Sequence, residues 1–295
     1  MAKNEYIGVG GVARKVKSQY VGVDGVARKT KNGYVGVGGV ARQFFAAGTP
    51  IANLSVGDSV YVNESGSPVE YIIVQKGIPS MDAYSYSWPT IVSDCYATTD
   101  GVWLMRKDVY PTSVLYCAKG ASKYAVYSSS NLRSFLQNDV FAVYDSDVQA
   151  AIKSVKLPCW YFSANEEEYP RKIVSVNNKV FALSIWEMNI SVPGTGVEFS
   201  GEKDDGSMST EPSYEGVPLE YFLTDTKNRA AANDKYWTRS AVGEGTPQRA
   251  FCIIGVGATH CYGTATGAGA GVYTRPVFVL PHETIIDDDR LVIGI

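Results

Sequence analysis

Three near-identical segments at the start of the chain constrain its fold more than any other feature. They read Tyr6-Ile-Gly-Val-Gly-Gly-Val-Ala-Arg14, Tyr20-Val-Gly-Val-Asp-Gly-Val-Ala-Arg28 and Tyr34-Val-Gly-Val-Gly-Gly-Val-Ala-Arg42, with a period of 14 residues. Each has two short β-branched runs around a Gly-Gly or Asp-Gly pair, which supplies the positive φ of a tight hairpin turn. A hairpin of about a dozen residues cannot bury a core alone. The pattern predicts three β-hairpins in residues 1–48 that need a neighbour, and it indicates anchoring or oligomerisation.

The repeats are basic, whereas the rest of the chain is acidic. Residues 1–45 hold eight Lys or Arg against Glu5 and Asp24, a net charge of +6, so a total of −3 leaves −9 for the remainder. Because the basic residues recur at fixed places, we interpret them as a solvated face, with binding to an acidic surface or nucleic acid as the alternative. The glycines around Gly8 resemble part of a dinucleotide-binding motif, but the pattern simply recurs where a helix should open. We predict no nucleotide or nucleic-acid ligand.

Composition bounds what residues 49–295 can be. The chain has 295 residues, 45% of them hydrophobic, which is enough for one sizeable core after the repeats. There is no run of 18 apolar residues, and the first 30 lack a hydrophobic secretory core, so we expect neither membrane insertion nor a Sec-type signal. Five scattered cysteines predict free buried thiols, and only two histidines leave little material for a zinc site or a serine triad. The sequence predicts no metal, no cofactor and no enzymatic activity.

Residues 49–285 have the alternation of an α+β domain, followed by a C-terminal tail at 286–295. The predicted helices cover 130–136, after a serine cap, and 146–155, before Pro158. A turn is predicted at 185–188 and a long surface loop at 192–218. The predicted strands are 51–62, 69–74, 102–106, which is mostly apolar and so central, 179–184, 236–240, 249–254 and 273–280.

Four ordered motifs carry a resemblance that covers residues 51–281. They are Ser130-Asn-Leu-Arg-Ser-Phe-Leu136, Val180-Phe-Ala-Leu-Ser-Ile-x-Glu187, Tyr236-Trp-x-Arg-Ser240 and Thr274-Arg-Pro-Val-Phe-Val-Leu280. This series resembles a large bacterial and phage domain family whose members are similar to C-type-lectin-fold domains. The repeats likewise resemble glycine- and tyrosine-rich arrays in structural proteins of phages from gut Firmicutes. The resemblance implies a C-type-lectin-like domain preceded by short β-hairpin repeats.

The resemblance also implies structural roles for its marker residues. Trp237 and Phe278 would fill the core, while Arg239 and Arg275 would pair with a carboxylate such as Glu187 or cap loop carbonyls. In related enzymes paired cysteines oxidise a substrate, but Cys252 and Cys261 have no cluster of ligands between them. Calcium-lectin triplets are absent, and Glu202-Lys-Asp-Asp-Gly206 lacks the alternate spacing of a calcium loop.

In retroelement-diversified relatives of this fold, the C-terminal segment carries a variable binding surface. Here that segment runs from Tyr236 to Tyr273, and its glycine-rich middle is too long for a simple turn. A glycine-rich loop that merely closes the domain is the alternative. The predicted ligand-binding residues are Glu244, Thr246, Gln248, His260, Tyr262 and Thr264.

These observations together predict a non-enzymatic phage virion protein of tail, fibre or head-fibre type. It would be assembled in the bacterial cytoplasm, act outside the cell and bind a host cell-surface protein or glycan. Residues 1–48 would contact other virion proteins, and we expect a homo-oligomer. The alternative is a head, neck or tail assembly or decoration protein without ligand binding. A hydrolase of cell-wall carbohydrate ranks third, because no close carboxylate pair is recognisable in the sequence.

Overall fold

A computed structural model describes residues 48–81, 90–117, 127–161, 172–190, 215–231, 235–241, 250–253 and 272–294, and the backbone of six strands within the repeats. The architecture is mixed α+β with several mostly antiparallel sheets. The repeat strands are β1 (Tyr6–Val9), β2 (Val12–Lys15), β3 (Gln19–Val23), β4 (Val26–Thr30), β5 (Asn32–Val37) and β6 (Val40–Ala46). Each repeat is one antiparallel pair, and Val9↔Val12, Val23↔Val26 and Val37↔Val40 flank the predicted two-residue connections.

Twelve further strands and four helices make up the described part of the domain. The strands are β7 (Thr49–Pro50), β8 (Ser59–Glu64), β9 (Ser67–Lys76), β10 (Val102–Arg106), β11 (Val155–Tyr161), β12 (Lys172–Asn178), β13 (Tyr236–Ala241), β14 (Ala250–Ile253), β15 (Tyr273–Thr274), β16 (Val277–Leu280), β17 (Ile285–Ile286) and β18 (Val292–Gly294). The helices are α1 (Thr90–Tyr96), α2 (Asn131–Phe135), α3 (Ser146–Ala151) and α4 (Glu220–Thr224).

The main sheet has the order β16-β10-β9-β8. Strand β10 lies inside this sheet, as its apolar sequence predicts, and its first four residues are buried. Trp103 packs edge-on against Phe181, with ring centroids 5.5 Å apart, and donates its Nε1 proton to the carbonyl of Thr99. Burying each such side chain contributes about 1.5–3 kcal/mol, so this sheet is the stable centre of the domain.

Helix α2 begins where its capping residue predicts. The side-chain oxygen of Ser130 accepts from the backbone N–H of Arg133 at 3.0 Å, which satisfies one of the helix's free donors. The chain then continues through a π-helical turn at Leu136–Val140. Arg133 reaches the Asn178 side chain and the Asn177 carbonyl, so this end of α2 is tied to the end of β12.

The structure corrects four predicted elements. Residues 51–58 are not strand, because Ile51–Asn53 form a 3-10 turn and β8 begins only at Ser59. Helix α3 ends at Ala151, since Ile152 adopts ψ 120°. The segment 179–184 forms a single bridge, Phe181↔Val277, rather than a strand. The run 273–280 is split at Arg275-Pro276 into β15 and β16, which belong to different sheets.

Several other elements, among them β11, β12 and α4, were not predicted from the sequence. Strands β11 and β12 pair along seven residues, and Pro158 lies within the pairing opposite Ser175. Proline is tolerated there because both strands of a two-stranded sheet are edges. Helix α4 and the 3-10 turn Thr226–Arg229 follow the predicted loop.

The C-terminal strands join the start of the domain in a three-stranded sheet of order β18-β17-β7. Strand β7, directly after the repeats, pairs with β17, and the segment assigned to a C-terminal tail supplies β18. A Cβ at Gly48 would lie 2.3 Å from the Ile286 carbonyl oxygen, so no side chain fits there. The repeats therefore enter the domain at a close contact with its C-terminal strands.

Candidate functional site

Strand β13 is the centre of the region that the sequence singles out, and its pairing is irregular. Trp237 lies opposite Cys252 and Ala241 opposite Ala250, so three residues of β13, 238–240, face a single residue of β14. All three are completely buried. A bulge of this kind changes the face of the sheet on which the following side chains lie, which in a regular strand alternates from one residue to the next.

The middle residue of this irregular stretch, Arg239, forms a buried ion pair. Its guanidinium donates to both carboxylate oxygens of Glu187. One hydrogen bond runs from Nη2 to Oε1 at 2.8 Å, and the other from Nη1 to Oε2. Neither side chain is exposed. Its other donors reach the carbonyls of Pro158, Ala182 and Glu215. Bidentate pairs of this kind are the stronger class of charge-assisted hydrogen bond. Of the two structural roles expected for Arg239, pairing with a carboxylate such as Glu187 or capping of loop carbonyls, the structure shows both.

Glu187 is held from its other side by α1 and by its own turn. The Tyr96 hydroxyl donates to Oε1 at 2.8 Å, and the backbone N–H of Ser184 donates to Oε2 at 3.0 Å. In return, the Ser184 hydroxyl oxygen accepts from the backbone N–H of Glu187 at 3.1 Å. Burial raises the pKa of Tyr96 well above its usual value, and the Glu187 charge adds to this rise, so the hydroxyl stays protonated.

Gly216 completes this cluster by leaving room for it. A Cβ at position 216 would lie 2.5 Å from the Tyr96 hydroxyl oxygen and 2.9 Å from Cγ of Glu187. The next residue, Val217, donates its backbone N–H to the same tyrosine oxygen at 3.2 Å. Glycine is required here because the backbone approaches the buried side chains too closely for any other residue.

The ion pair is built to hold segments together rather than to react. Burial alone would lower the pKa of Arg239, but the Glu187 charge more than offsets it, and the pKa is raised well above its usual value. Both groups are shielded from solvent, and their hydrogen-bonding capacity is used within the domain. Arg239 thus joins α1, β11, the 182–187 turn, residue 215 and β13 at one point.

Trp237 anchors β13 itself, and Arg275 anchors the end of its neighbour β15. Trp237 is 3% exposed, donates its Nε1 proton to the Val114 carbonyl at 2.8 Å and packs edge-on against Tyr116. Arg275 donates to the carbonyls of Arg106 and Ala230, at 3.1 and 3.3 Å, and lies over the Tyr236 ring. The predicted structural roles, core filling for Trp237 and carbonyl capping for Arg275, are confirmed.

The six predicted ligand-binding residues lie outside the described residues, but the ends of their two segments do not. Segment 242–249 leaves β13 at Ala241 and returns at Ala250, which is paired with it. Segment 254–271 leaves beside Tyr236, at Ile253, and returns beside Tyr236, at Tyr273. These two ends of β13 are separated by five residue steps, about 16 Å in an extended strand. The segment that contains Glu244, Thr246 and Gln248 therefore begins and ends at one end of β13, and the segment that contains His260, Tyr262 and Thr264 begins and ends at the other.

The Tyr236 end of β13 is also where the predicted loop at 192–218 begins. The Tyr236 hydroxyl donates to the Arg229 carbonyl, and Arg229 in turn donates to the carbonyls of Met188 and Asn189. Asn189 adopts a left-handed φ of 53°, which ends the turn just before residue 191. One contact network therefore fixes the starts of 191–214 and 254–271.

Described groups suited to chemistry are few in this region. No set of three or more His, Cys, Asp or Glu within the described ranges could hold a metal ion. No described helix is long and apolar enough to cross a membrane. The remaining sequence interpretations at Cys261 and at Glu202-Lys-Asp-Asp-Gly206 fall outside the residues that the structure describes.

Four of the five cysteines, namely Cys95, Cys117, Cys159 and Cys252, are buried and form no disulfide. We expect Ellman's reagent to label at most one thiol of the native chain and five in urea, because burial raises the pKa of Cys95 and of Cys159 and blocks access. Cys261→Ser should then leave no fast-reacting thiol. Rapid labelling of two or more thiols in the native protein would contradict this prediction.

Tyr96, Ser184 and Gly216 were not predicted as members of the cluster. Ser184 and Glu187 lie within one quoted motif, and a short polar residue three positions before a carboxylate is typical of a capped turn. Tyr96 and Gly216 carry no comparable pattern. They lie 91 and 29 residues from Glu187 along the chain, and only the fold brings them together.

Comparisons with known proteins identify one family. The family described as "Domain of unknown function (DUF6273)" matches residues 100–282, which include β10 through β16 and the whole Arg239–Glu187 cluster apart from Tyr96. Neither the comparison with curated proteins nor that with solved structures finds a match.

Proposed function

The chain belongs to the DUF6273 family, and we propose that it is a non-enzymatic phage virion protein with a C-type-lectin-like domain that binds a host-cell receptor. One observation carries the proposal. Segments 242–249 and 254–271 begin and end in a three-stranded sheet whose central strand, β13, is locked by the Arg239–Glu187 pair. A scaffold that fixes both ends of a segment tolerates sequence change within it, which is what a binding loop requires.

The buried character of the cluster supports a binding role over catalysis. Arg239, Glu187 and Tyr96 have no exposed surface, so none of them can touch a substrate. A catalytic group must come within hydrogen-bond reach of the reacting atoms. These strongly bonded groups therefore belong to the scaffold, and the segments that β13 anchors are the candidates for ligand contact.

Of the two anchored segments, we assign the receptor contact to 254–271. It is the longer, it contains Tyr262, and it begins at the Tyr236 end, where 191–214 also begins. Tyrosine contributes large contact area at low entropic cost, so it is a favoured residue for such a surface. Glu244, Thr246 and Gln248 belong to the same proposed surface through 242–249, and each should contribute less to binding than Tyr262.

Adsorption of labelled protein to cells of gut Firmicutes isolates tests the proposal. Tyr262→Ala should weaken binding by about 5- to 30-fold, or roughly 1–2 kcal/mol, because aromatic residues dominate binding centres. Its melting temperature should stay close to that of the wild type, since exposed substitutions change stability by only about 0.5 kcal/mol. Tyr61→Ala is the matched control, because Tyr61 is a described tyrosine, 37% exposed, on β8 of the main sheet.

The repeats favour one alternative function. A periodic basic array suits attachment to a larger assembly, and the domain could be a passive decoration on it. Wild-type adsorption that Tyr262→Ala leaves unchanged, or no adsorption to any isolate, would make this assembly role the better account.

A further inference from the structure

The hairpin register gives each repeat two faces of different composition. Alternate residues of a strand lie on opposite faces, and directly paired residues share a face. The pairs Ile7↔Arg14 and Val9↔Val12 therefore define one face of the first hairpin, while Tyr6↔Lys15 and Gly8↔Ala13 define the other. The same two sets of pairs recur in the second and third hairpins.

We name the two faces by their residues. The valine face comprises Ile7, Val9, Val12, Arg14, Val21, Val23, Val26, Arg28, Val35, Val37, Val40 and Arg42. The tyrosine face comprises Tyr6, Gly8, Ala13, Lys15, Tyr20, Gly22, Ala27, Lys29, Tyr34, Gly36, Ala41 and Gln43. Three of every four residues on the valine face are β-branched aliphatics.

Each hairpin forms its own two-stranded sheet, and no pairing joins β1–β6 to one another or to a described strand of the domain. A two-stranded hairpin is at best marginally stable in water without a hydrophobic partner. The valine face therefore needs an apolar packing partner, and a partner surface with the same 14-residue repeat would match all three hairpins.

We propose that the valine face is covered by the valine face of a second copy of this chain. Repetition supports this occupant, because the array of a second copy has the same three-fold repeat and a two-fold interface is self-complementary. The area is sufficient as well. Burial of nine aliphatic side chains at about 100 Å² each amounts to roughly 900 Å² per copy, or about 1,800 Å² in total. Stable protein interfaces bury about 1,200–2,000 Å².

Charge gives this arrangement a distinctive salt dependence. Each array carries a net charge of +6, so two arrays repel each other, and added salt should tighten their association. An array bound to an acidic surface, such as the −9 remainder of another copy, would instead dissociate as salt rises. The sign of the salt effect therefore separates the two occupants.

The inference rests on the attachment role proposed for residues 1–48, and its test is independent of receptor binding. The full-length chain is examined by sedimentation equilibrium between 50 and 500 mM NaCl (about 14 to 4 Å of screening length). Two triple variants carry the same charge change at adjacent positions on opposite faces. One is Val12→Glu/Val26→Glu/Val40→Glu on the valine face, and the other is Ala13→Glu/Ala27→Glu/Ala41→Glu on the tyrosine face.

We expect a wild-type dimer that tightens with salt, a valine-face variant weakened by at least about 100-fold, and a tyrosine-face variant that still dimerises. Each of four results would overturn the proposal. The wild type could be a monomer, or its dimer could weaken as salt rises. The two variants could dimerise equally well, or only the tyrosine-face variant could lose dimerisation. Loss of dimerisation with normal cell adsorption, measured per binding site, would leave the receptor function standing.

Discussion

Glu187→Gln should lower the free energy of unfolding by about 3–5 kcal/mol, because it leaves the Arg239 guanidinium buried without a countercharge. The side chain of Arg239 has no exposed surface, so neither water nor a shift in conformation at the surface can compensate for the lost charge. Amide and carboxylate have nearly the same shape, so the effect reports charge rather than packing. Urea unfolding followed by tryptophan fluorescence measures the change.

An exposed ion pair provides the control. Lys107 and Glu70 approach to 2.9 Å, but their side chains are 49% and 28% exposed. Surface pairs of this kind contribute roughly 0–1 kcal/mol, so Glu70→Gln should be nearly silent under the same conditions. Similar losses for Glu187→Gln and Glu70→Gln would mean that the interior pair is not the anchor of β13.

The double variant Glu187→Gln/Arg239→Met separates the pair from its surroundings. If the two charges stabilise mainly each other, the double variant should cost less than the sum of the single variants, by about 0.5–3 kcal/mol. Residual cost is expected, because the carbonyls of Pro158, Ala182 and Glu215 lose their donor. Additive single effects would show that Glu187 and Arg239 act independently.

The sequence was most informative where local pattern and local chemistry agree. Ser130 caps a helix, Val102–Arg106 is an interior strand, and the Gly-Gly and Asp-Gly pairs join hairpin strands in the predicted register. Each of these three predictions depends on residues that lie only a few positions apart in the sequence. Glu187, 52 residues away, could be suggested as a possible partner of Arg239 only because the family resemblance grouped their motifs.

The sequence was least informative where tertiary contacts overrule local preference. Pro158 indicated the end of a helix, yet it lies in β11, where its carbonyl accepts from Arg239. Arg275 interrupts what reads as one strand because its side chain is used to hold the carbonyls of Arg106 and Ala230. Ile285 and Ile286 pair with Pro50 and Thr49 at the start of the domain, more than 230 positions earlier, and no short-range pattern encodes such a contact.

The candidate site shows the same division. Its scaffold could be assigned in part from marker residues, since Trp237 and Arg239 fall in one short motif. The points at which the two predicted binding segments join the sheet could not be predicted. The sequence does not reveal that β14 is antiparallel to β13 while β15 is parallel to it. That topology puts the ends of 242–249 and the ends of 254–271 at opposite ends of β13.

Trp237→Ala should destabilise the domain by about 3–5 kcal/mol and should lower receptor binding only through unfolding. Trp237 is 3% exposed, and its ring packs on Tyr116 with centroids 5.6 Å apart. In the sheet that anchors both segments, residue 237 pairs with Cys252 on one side and Thr274 on the other. Its removal leaves a cavity next to β13 and strips the Val114 carbonyl of its donor. Thermal and urea unfolding measure the loss.

Two further variants divide that loss into its parts. Trp237→Phe keeps most of the ring but not the Nε1 donor, so about 1–3 kcal/mol should be lost through the unpaired Val114 carbonyl and the smaller volume. Leu223→Ala removes an apolar side chain that is 49% exposed on α4, and it should change stability by only about 0.5 kcal/mol. If Trp237→Ala unfolds like Leu223→Ala, the indole does not hold the sheet. The sheet would then not hold the ends of 254–271 rigidly, and the receptor-binding surface proposed for that segment would have no fixed scaffold.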